Sequence, residues 1–237
     1  VVVLFIMADG LDLLRGATMA ERSTAARAIK AYLLDVVAQR RRNPGDDIVS
    51  YILAYRLGDA PIPPDRLIGL CFMLFAGGLD TVASTLGFIF RELAWRPELQ
   101  AQLRAAPTLV PAALDEFLRA FSVVTTFRYA TCDMDFHGAA IRKGDLVELP
   151  LGLASRDPAM YEDPHTIDFA RKGKRSLAFS TGPHTCAGMH LARAEMRIAL
   201  EEWLARMPEW KIADPAEVIA ACESVWALQR LPLAWTA

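Results

Sequence analysis

The sequence predicts a mainly α-helical fold with a small β region. Apolar residues recur with helical periodicity along most of the 237-residue chain. Between residues 127 and 151 the pattern changes to short apolar runs separated by turn signals such as His137-Gly138. No internal repeat or low-complexity tract interrupts the chain, so we expect one domain spanning residues 1–237.

The most apolar predicted helix lies at residues 64–95. Its apolar run, 67–79, is shorter than the ~20 residues that span a bilayer, and Asp80 ends it. We therefore expect a buried helix and no membrane span. At the C-terminus, residues 225–231 and 232–235 are expected to form a short hairpin. The five predicted helices are 19–42, 64–95, 98–105, 111–121 and 187–206.

The composition is that of a compact folded protein. Hydrophobic residues make up 53% of the chain and charged residues 23%, so a core large enough for a buried cofactor is feasible. The net charge of -2 favours neither nucleic acid nor a membrane surface as a partner. The 4 cysteines are too dispersed for a disulfide scaffold, which indicates a reducing cytoplasm.

The strongest motif is the segment 179–188, Phe-Ser-Thr-Gly-Pro-His-Thr-Cys-Ala-Gly, which we name the cysteine loop. Cys186 stands just before a predicted helix, whose dipole and backbone N–H groups favour the metal-binding thiolate over the thiol. Gly182 and Gly188 allow the backbone to approach a flat ligand closely or to adopt positive φ. The motif therefore indicates a thiolate ligand for iron.

Two other interpretations of Cys186 are weaker. A lone cysteine is more often a buried structural thiol, but the ten-residue pattern argues against that. A zinc site built from His184, Cys186 and His190 would have only three ligands at an unusual spacing.

The cysteine loop resembles the heme-binding loop of the cytochrome P450 family, and three further motifs follow in that family's order. The resemblance implies the C-terminal part of the P450 fold, with a long central helix, a Glu-x-x-Arg helix and a cysteine loop leading into a helix. It implies heme b (iron protoporphyrin IX) as the cofactor and Cys186 as the axial iron ligand. Phe179 would then pack near the ligand sulfur, and His184 would bond a heme propionate.

A second motif, Ala76-Gly77-Gly78-Leu79-Asp80-Thr81, lies inside the long predicted helix. Adjacent glycines cost ~1 kcal/mol each in a helix interior, so something should offset that cost. The resemblance implies that Ala76 and Gly77 leave room for dioxygen, the co-substrate, and that Asp80 and Thr81 control proton delivery. Without the cysteine loop, the same residues would indicate an ordinary packing notch with a hydroxyl bonded to the preceding turn.

A third motif pairs Glu116 with Arg119, which share a helix face at i and i+3. A surface pair of this kind contributes only ~0–1 kcal/mol. In the resembled family the pair is buried and braces the heme-side core. Its third partner here is either His165 or Arg171, and the sequence does not decide between them.

The fourth motif is Arg128, at the start of the predicted strand region. The resemblance implies that its planar guanidinium binds a heme propionate. The preceding residues, Thr125-Thr126-Phe127, lack the acidic residue of camphor-type enzymes, so propionate contacts or access to the site are expected to differ.

The resemblance is strongest to the soluble bacterial branch that includes camphor and terpenoid hydroxylases. It implies a small hydrophobic substrate, specifically a terpenoid. The electrons would come from NAD(P)H through a ferredoxin-type iron–sulfur donor, bound by a basic patch. The implied substrate contacts are Met73, Val123, Val124 and Val225, and the implied patch is Lys172, Lys174, Arg175 and Arg193.

The expected function is that of a heme-thiolate monooxygenase, an oxidoreductase that acts on paired donors and incorporates molecular oxygen. The chain opens on Val1-Val2-Val3 without an initiator methionine, and we expect the N-terminal half of the family's domain to be absent from it. That absence keeps an alternative open: a heme-binding or heme-free P450 remnant without turnover.

Overall fold

The structure, a computed structural model, describes residues 18–173, 176–222 and 224–236. The chain divides into two compact units, one ending at Asp80 and the other beginning at Thr81. The elements of the first unit are helices α1 (Met19–Arg42), α2 (Ile48–Ala54) and α3 (Pro64–Leu79), and strands β1 (Arg56–Leu57) and β2 (Ala60–Pro61).

The second unit contains most of the helices and four of the five antiparallel strand pairs seen in the described residues. Its helices are α4 (Thr81–Trp95), α5 (Pro97–Ala105), α6 (Val110–Ala120), α7 (Leu151–Ala154) and α8 (Met189–Arg206). Its strands are β3 (Thr125–Tyr129), β4 (Met134–Phe136), β5 (Ala139–Ile141), β6 (Leu146–Pro150), β7 (Trp210–Ile212), β8 (Ile219–Cys222), β9 (Trp226–Arg230) and β10 (Leu233–Trp235). The predicted mainly α fold with a small β region is confirmed.

The first unit packs around one face of α1. Ile29, Leu33 and Val37 recur at four-residue spacing and are buried with residues of α2 and α3. The N-terminus of α1 is closed by a capping box in which Thr18 and Glu21 exchange hydrogen bonds. Helix α2 was not predicted, because seven residues are too few to show a clear period.

The second unit packs α4, α5, α6 and α8 around a shared apolar core. Fully buried Gln100 links three of its elements. Its side-chain amide donates to the carbonyls of Leu93 (2.7 Å) and Trp210 (2.8 Å) and accepts from the Trp210 N–H (3.3 Å). A buried amide with these partners satisfies backbone groups that water cannot reach.

Strands form in the predicted region 127–151, but the pairing of the C-terminal strands differs from the prediction. Strand β3 pairs antiparallel with β6, and β4 pairs with β5. The expected C-terminal hairpin is wrong, because β9 pairs with β8 and β10 pairs with β7. Pro232 separates β9 from β10 and has no N–H for a ladder, whereas its carbonyl accepts from the Ala213 N–H (2.9 Å) and extends the β7 pairing.

The helical run 64–95 breaks at Asp80 and is not one continuous helix. Burial is concentrated in α4, which has seven buried residues, whereas α3 has two. By length and composition the run could cross a membrane, with 22% of its most apolar window buried. Central helices of globular proteins pass the same test, so this single candidate is weak evidence for a span.

A buried ion pair holds α6 to the irregular segment that follows α7. Glu116 and Arg119 are both fully buried, and the guanidinium binds both carboxylate oxygens, at 2.9 Å and 2.7 Å. The Arg171 Nε and the backbone N–H of Asp168 also donate to Glu116, at 3.0 Å and 3.1 Å. The third partner left open by the sequence is therefore Arg171, while His165 is exposed.

The remaining N–H groups of Arg119 bind backbone carbonyls of the same irregular segment. They donate to Pro164 (2.9 Å), Ser155 (3.2 Å) and Thr166 (3.2 Å). Burial by itself raises the pKa of Glu116, but the hydrogen bonds from Arg119, Asp168 and Arg171 outweigh it and lower that pKa overall. Glu116 is thus held in its charged form.

The same framework reaches the residues that lead into the cysteine loop. Ser176 Oγ donates to the carbonyl of Leu118 in α6 (3.0 Å), and the Leu177 N–H donates to Ser155 Oγ (3.1 Å). The Ser155 hydroxyl in turn donates to Ser122 Oγ (3.1 Å), whose own proton goes to the carbonyl of Leu118 (2.8 Å). The C-terminal end of α6 therefore anchors the entry to the loop.

Replacing Glu116 with Gln should destabilise the chain by about 3–5 kcal/mol, because the fully buried Arg119 loses its counter-charge. The matched control is Glu201→Gln, which breaks the exposed Arg197–Glu201 pair and should cost at most about 1 kcal/mol. Urea unfolding followed by circular dichroism measures both free energies of unfolding. Equal losses in the two variants would contradict the bracing role of Glu116.

The lowered pKa of Glu116 also predicts a dependence of stability on pH. The contribution of this carboxylate is complete above its unfolded pKa of about 4.3 and is lost as the pH falls through the lower folded pKa. Arg171→Gln removes one donor, so the folded pKa should be less depressed and less stability should be lost on acidification. Unfolding free energies between about pH 6 and about pH 3 test this. Arg197→Gln, which disrupts only an exposed pair, should keep the wild-type slope.

Candidate functional site

The cysteine loop has a tightly bent backbone with its own hydrogen bonds. Ser180 and Gly182 both have positive φ, 58° and 62°. The Cys186 N–H donates to the carbonyl of Phe179 (2.9 Å), and Thr185 donates to the carbonyl of Gly182 through its N–H (3.1 Å) and its hydroxyl (2.9 Å). These bonds close the loop on itself and tie the backbone of Cys186 to that of Phe179.

The thiol of Cys186 is exposed and lies at the beginning of α8. Gly188 is the N-cap residue of that helix, and a side chain added there would lie 3.9 Å from the Cys186 sulfur. The sulfur therefore lies close to the N-terminus of α8, where the helix dipole favours an anion. An exposed cysteine in such a place is suited to act as a thiolate ligand.

Phe179 is fixed by a contact that the sequence did not predict. The guanidinium of Arg193 stacks over its ring at 5.3 Å and forms an ion pair with Asp115 in α6 at 2.5 Å. The loop is thus fastened to α8 and α6 at once. The sequence carries no signal for this contact, because Phe179 lies in an irregular loop and Asp115 lies 78 residues before Arg193.

The basic patch predicted around the loop is only partly described. Lys174 and Arg175 lie outside the described residues, and Lys172 is exposed. Arg193 is half-buried, and its charge is neutralised by Asp115. Arg193 therefore braces the loop, and the patch for an acidic partner stays a prediction.

The structure brings together two of the predicted substrate contacts that are far apart in sequence. Val124 and Val225 form an isolated antiparallel bridge, flanked by the bonds Thr125 N–H to Ser224 carbonyl and Trp226 N–H to Val123 carbonyl, both 2.8 Å. Val123 is buried, whereas Val124 and Val225 are half-buried. Val124 and Val225 both pack against the core to which Val123 belongs.

The two predicted propionate ligands remain available for an anion. Arg128 lies half-buried on β3, and its guanidinium donates to the carbonyl of the neighbouring Phe127 at 2.8 Å. Among the residues that the structure describes, it has no acidic partner. His184 is exposed in the 3-10 turn Gly182–His184.

The predicted oxygen-side residues lie on either side of the helix break. Ala76 and Gly77 are in the last turn of α3, Asp80 is buried at the break, and Thr81 begins α4. One turn later, the hydroxyl of Thr85 donates to the carbonyl of Thr81 (2.8 Å). Met73, on α3, is exposed and lines an apolar groove of the first unit.

The residues of the loop fit a planar iron cofactor. The thiol is free and exposed, and a side chain added at Gly182 would meet no atom within 4 Å, which leaves the backbone open to a flat ligand. Within the described part of the chain, no group of three His, Cys, Asp or Glu residues could hold a metal ion, so a zinc site has no support. The ligand that the loop offers to iron is the thiolate of Cys186.

Comparisons with known proteins agree with this geometry. The family model described as Cytochrome P450 matches residues 2–214. "Probable cytochrome P450 127A1" of Sinorhizobium fredii is 38% identical over 94% of this chain and 54% of its own length. "Pentalenic acid synthase" of Streptomyces avermitilis is 32% identical over 98% of this chain and 58% of its own length. The chain thus spans little more than half the length of the curated relatives that it matches.

Solved structures give the same result for the fold. The crystal structure of cytochrome P450 CYP101C1 superposes with a TM-score of 0.88 at 39% identity, covering 98% of this chain and 59% of that one. The crystal structure of CYP101J2 gives a TM-score of 0.84 at 36% identity, covering 90% and 54%. With its cysteine loop, its buried Glu-x-x-Arg pair and these matches, the chain belongs to the cytochrome P450 family.

Proposed function

We propose that the chain is the C-terminal part of a single P450 domain and serves a heme-thiolate monooxygenase. The observation that carries this proposal is the exposed thiol of Cys186 in a self-bonded loop at the beginning of α8. A lone buried structural cysteine would need neither the exposure nor the bent glycine-containing backbone.

Six residues are proposed to hold the cofactor. Cys186 supplies the axial thiolate, and Phe179, fixed by Arg193, packs beside the sulfur. The backbone at Gly182 and Gly188 allows close approach, and His184 and Arg128 bind the propionates. When bound, a heme with a cysteine thiolate ligand, iron protoporphyrin IX in this proposal, supports cleavage of dioxygen by donating electron density.

Proton control is assigned to Asp80 and Thr81. Asp80 is buried at the interruption between α3 and α4, and Thr81 follows it directly. A buried carboxyl beside a hydroxyl can pass a proton into a site that otherwise excludes water. The small residues Ala76 and Gly77, one turn earlier, leave space for dioxygen.

The proposed substrate is a small hydrophobic compound, with a terpenoid as the specific suggestion. The proposed apolar contacts are Val123, Val124 and Val225 of the second unit and Met73 of the first unit. Relatives carry the names "Vitamin D3 dihydroxylase" and "Mycinamicin IV hydroxylase/epoxidase", which support hydroxylation of an organic compound. These names point to different substrates, so they support the reaction class more than the terpenoid.

The proposed electron donor is a ferredoxin-type iron–sulfur protein supplied by NAD(P)H, and the proposed compartment is the cytoplasm. All four cysteines, at positions 71, 132, 186 and 222, are free thiols, as expected in a reducing compartment. The alternative is a remnant that binds heme without turnover or does not bind it. This alternative rests on the observation that the chain spans little more than half the length of its relatives.

Replacing Cys186 with Ser should abolish the strongly red-shifted Soret band in the carbon monoxide difference spectrum of the reduced, heme-loaded chain. The thiolate that causes the shift is then absent. Cys132→Ser, at another exposed free cysteine, is the matched control and should keep the band. A wild-type chain without the shifted band would favour the remnant.

Replacing Thr81 with Ala should leave heme binding intact but divert electrons from hydroxylated product to hydrogen peroxide. Loss of controlled proton delivery should lower product formed per electron by about tenfold or more. The control is Thr85→Ala, which removes a threonine hydroxyl one turn further along α4. Peroxide and product are measured with a ferredoxin and its reductase, and unchanged coupling in Thr81→Ala would refute the role.

A further inference from the structure

Two arginines of the second unit share a pocket in which neither has an acidic partner. Arg91, on α4, and Arg156, just after α7, line a cavity of about 180 Å³. Both are half-buried, and the Nε atom of each is buried without a hydrogen bond to any described residue. No ion pair within the described ranges involves either guanidinium.

Both guanidinium groups lie against the same aromatic ring. Arg156 is 5.3 Å and Arg91 is 5.9 Å from the centroid of Phe121, so their central carbons are no more than about 11 Å apart. Arg91 also stacks on Phe88 at 5.0 Å and on Trp95 at 5.6 Å. Stacking occupies the faces of a guanidinium and leaves the N–H groups at its edge to bind a ligand.

The nearest carboxylates are already committed to other arginines. Glu92 accepts from Arg96 at 2.8 Å, and Glu116 is bound by Arg119 and Arg171. Burial lowers the pKa of both Arg91 and Arg156, and the charge of Arg119 lowers that of Arg156 further, although Glu92 raises both values. Among the described residues neither arginine therefore has a direct ion-pair partner, whereas buried charges in proteins are normally paired.

The rest of the pocket is apolar. Ser122 Oγ is already bonded to the carbonyl of Leu118 (2.8 Å) and to Ser155 Oγ (3.1 Å), so the two arginines are the free polar donors. The cavity is smaller than sites for drug-sized ligands, but it has room for about one ring. Its other walls are Phe88, Ala120, Phe121, Val123, Gly152, Leu153 and Trp226.

We propose that this pocket binds a small organic carboxylate, with the charged group on Arg91 and Arg156 and the apolar body against the aromatic wall. Charge-assisted bonds to two guanidinium groups would neutralise the charges that the fold leaves unpaired. The apolar wall selects a carboxylate with a compact hydrocarbon body over an inorganic anion. This site is separate from the cysteine loop and does not rest on the function proposed above.

Titration of the 237-residue chain with benzoate, followed by calorimetry, tests the proposal. Saturable binding is expected at concentrations up to about 10 mM, and Arg91→Gln and Arg156→Gln should each weaken it by about tenfold or more. Arg197→Gln, at an exposed paired arginine, is the control and should bind as the wild type does. Each pocket variant removes an unpaired cation, so circular dichroism should show the wild-type fold.

Two further ligands test separately the contributions of the charge and of the ring to binding. Benzyl alcohol lacks the charge and sulfate lacks the ring. The affinity for each should therefore be at least about tenfold lower than the affinity for benzoate. Cys186→Ser should leave benzoate binding unchanged, which distinguishes this pocket from a site at the cysteine loop. The proposal is overturned if benzoate does not bind, if both pocket variants bind it normally, or if sulfate or benzyl alcohol binds equally well. Loss of binding in Cys186→Ser would also overturn it.

Discussion

The carboxylate of Glu116 is fully buried, and the path of the chain from α6 to the cysteine loop depends on satisfying it. A buried charge is strongly unfavourable unless it is paired and hydrogen-bonded. Here it accepts two hydrogen bonds from Arg119, one from Arg171 and one from the backbone of Asp168. Arg119 in turn binds three carbonyls of a segment that has no regular secondary structure. The ion pair thereby replaces the ladder of bonds that a helix or strand would supply.

This constraint extends to the chemistry through short links. Ser155, whose carbonyl binds Arg119, also accepts through its hydroxyl oxygen from the Leu177 N–H at the entry to the cysteine loop. Arg193 and Asp115 fasten the first residue of the loop, Phe179, to α8 and α6. The loop can therefore present an exposed thiol at a helix N-terminus without being held by that thiol. Rigid support and an accessible reactive group are supplied by different residues.

Arginine behaves in two ways within this one unit. Arg119 has a carboxylate and three carbonyls around it, so its burial is compensated in full. Arg91 and Arg156 are half-buried against aromatic rings, and no acidic side chain of the described residues binds them. Stacking on a ring offsets part of the desolvation of a guanidinium but does not neutralise its charge. The difference between these arginines is one of surroundings, not of side-chain chemistry.

Several features of this protein follow from the sequence alone because they depend on local spacing. The periods of α1, α5, α6 and α8 predicted their bounds to within two residues, and the ten-residue cysteine motif predicted the loop and the family. Helix α2 is too short to show a helical period, so it was not predicted. The break at Asp80 was not predicted either, because the apolar pattern continues on both sides of it.

Only the tertiary structure decided which distant residues meet. It selected Arg171 over His165 as the partner of Glu116, paired β9 and β10 with earlier strands, and joined Val124 to Val225. It also placed Arg193 against Phe179 and Asp115, where it braces the cysteine loop, and it brought Arg91 and Arg156 into one pocket. A sequence period reports which side of an element a residue occupies, whereas a contact depends on how the intervening chain returns. Between α7 and the cysteine loop, that return is held by the buried Glu116 and its arginines, which local spacing does not reveal.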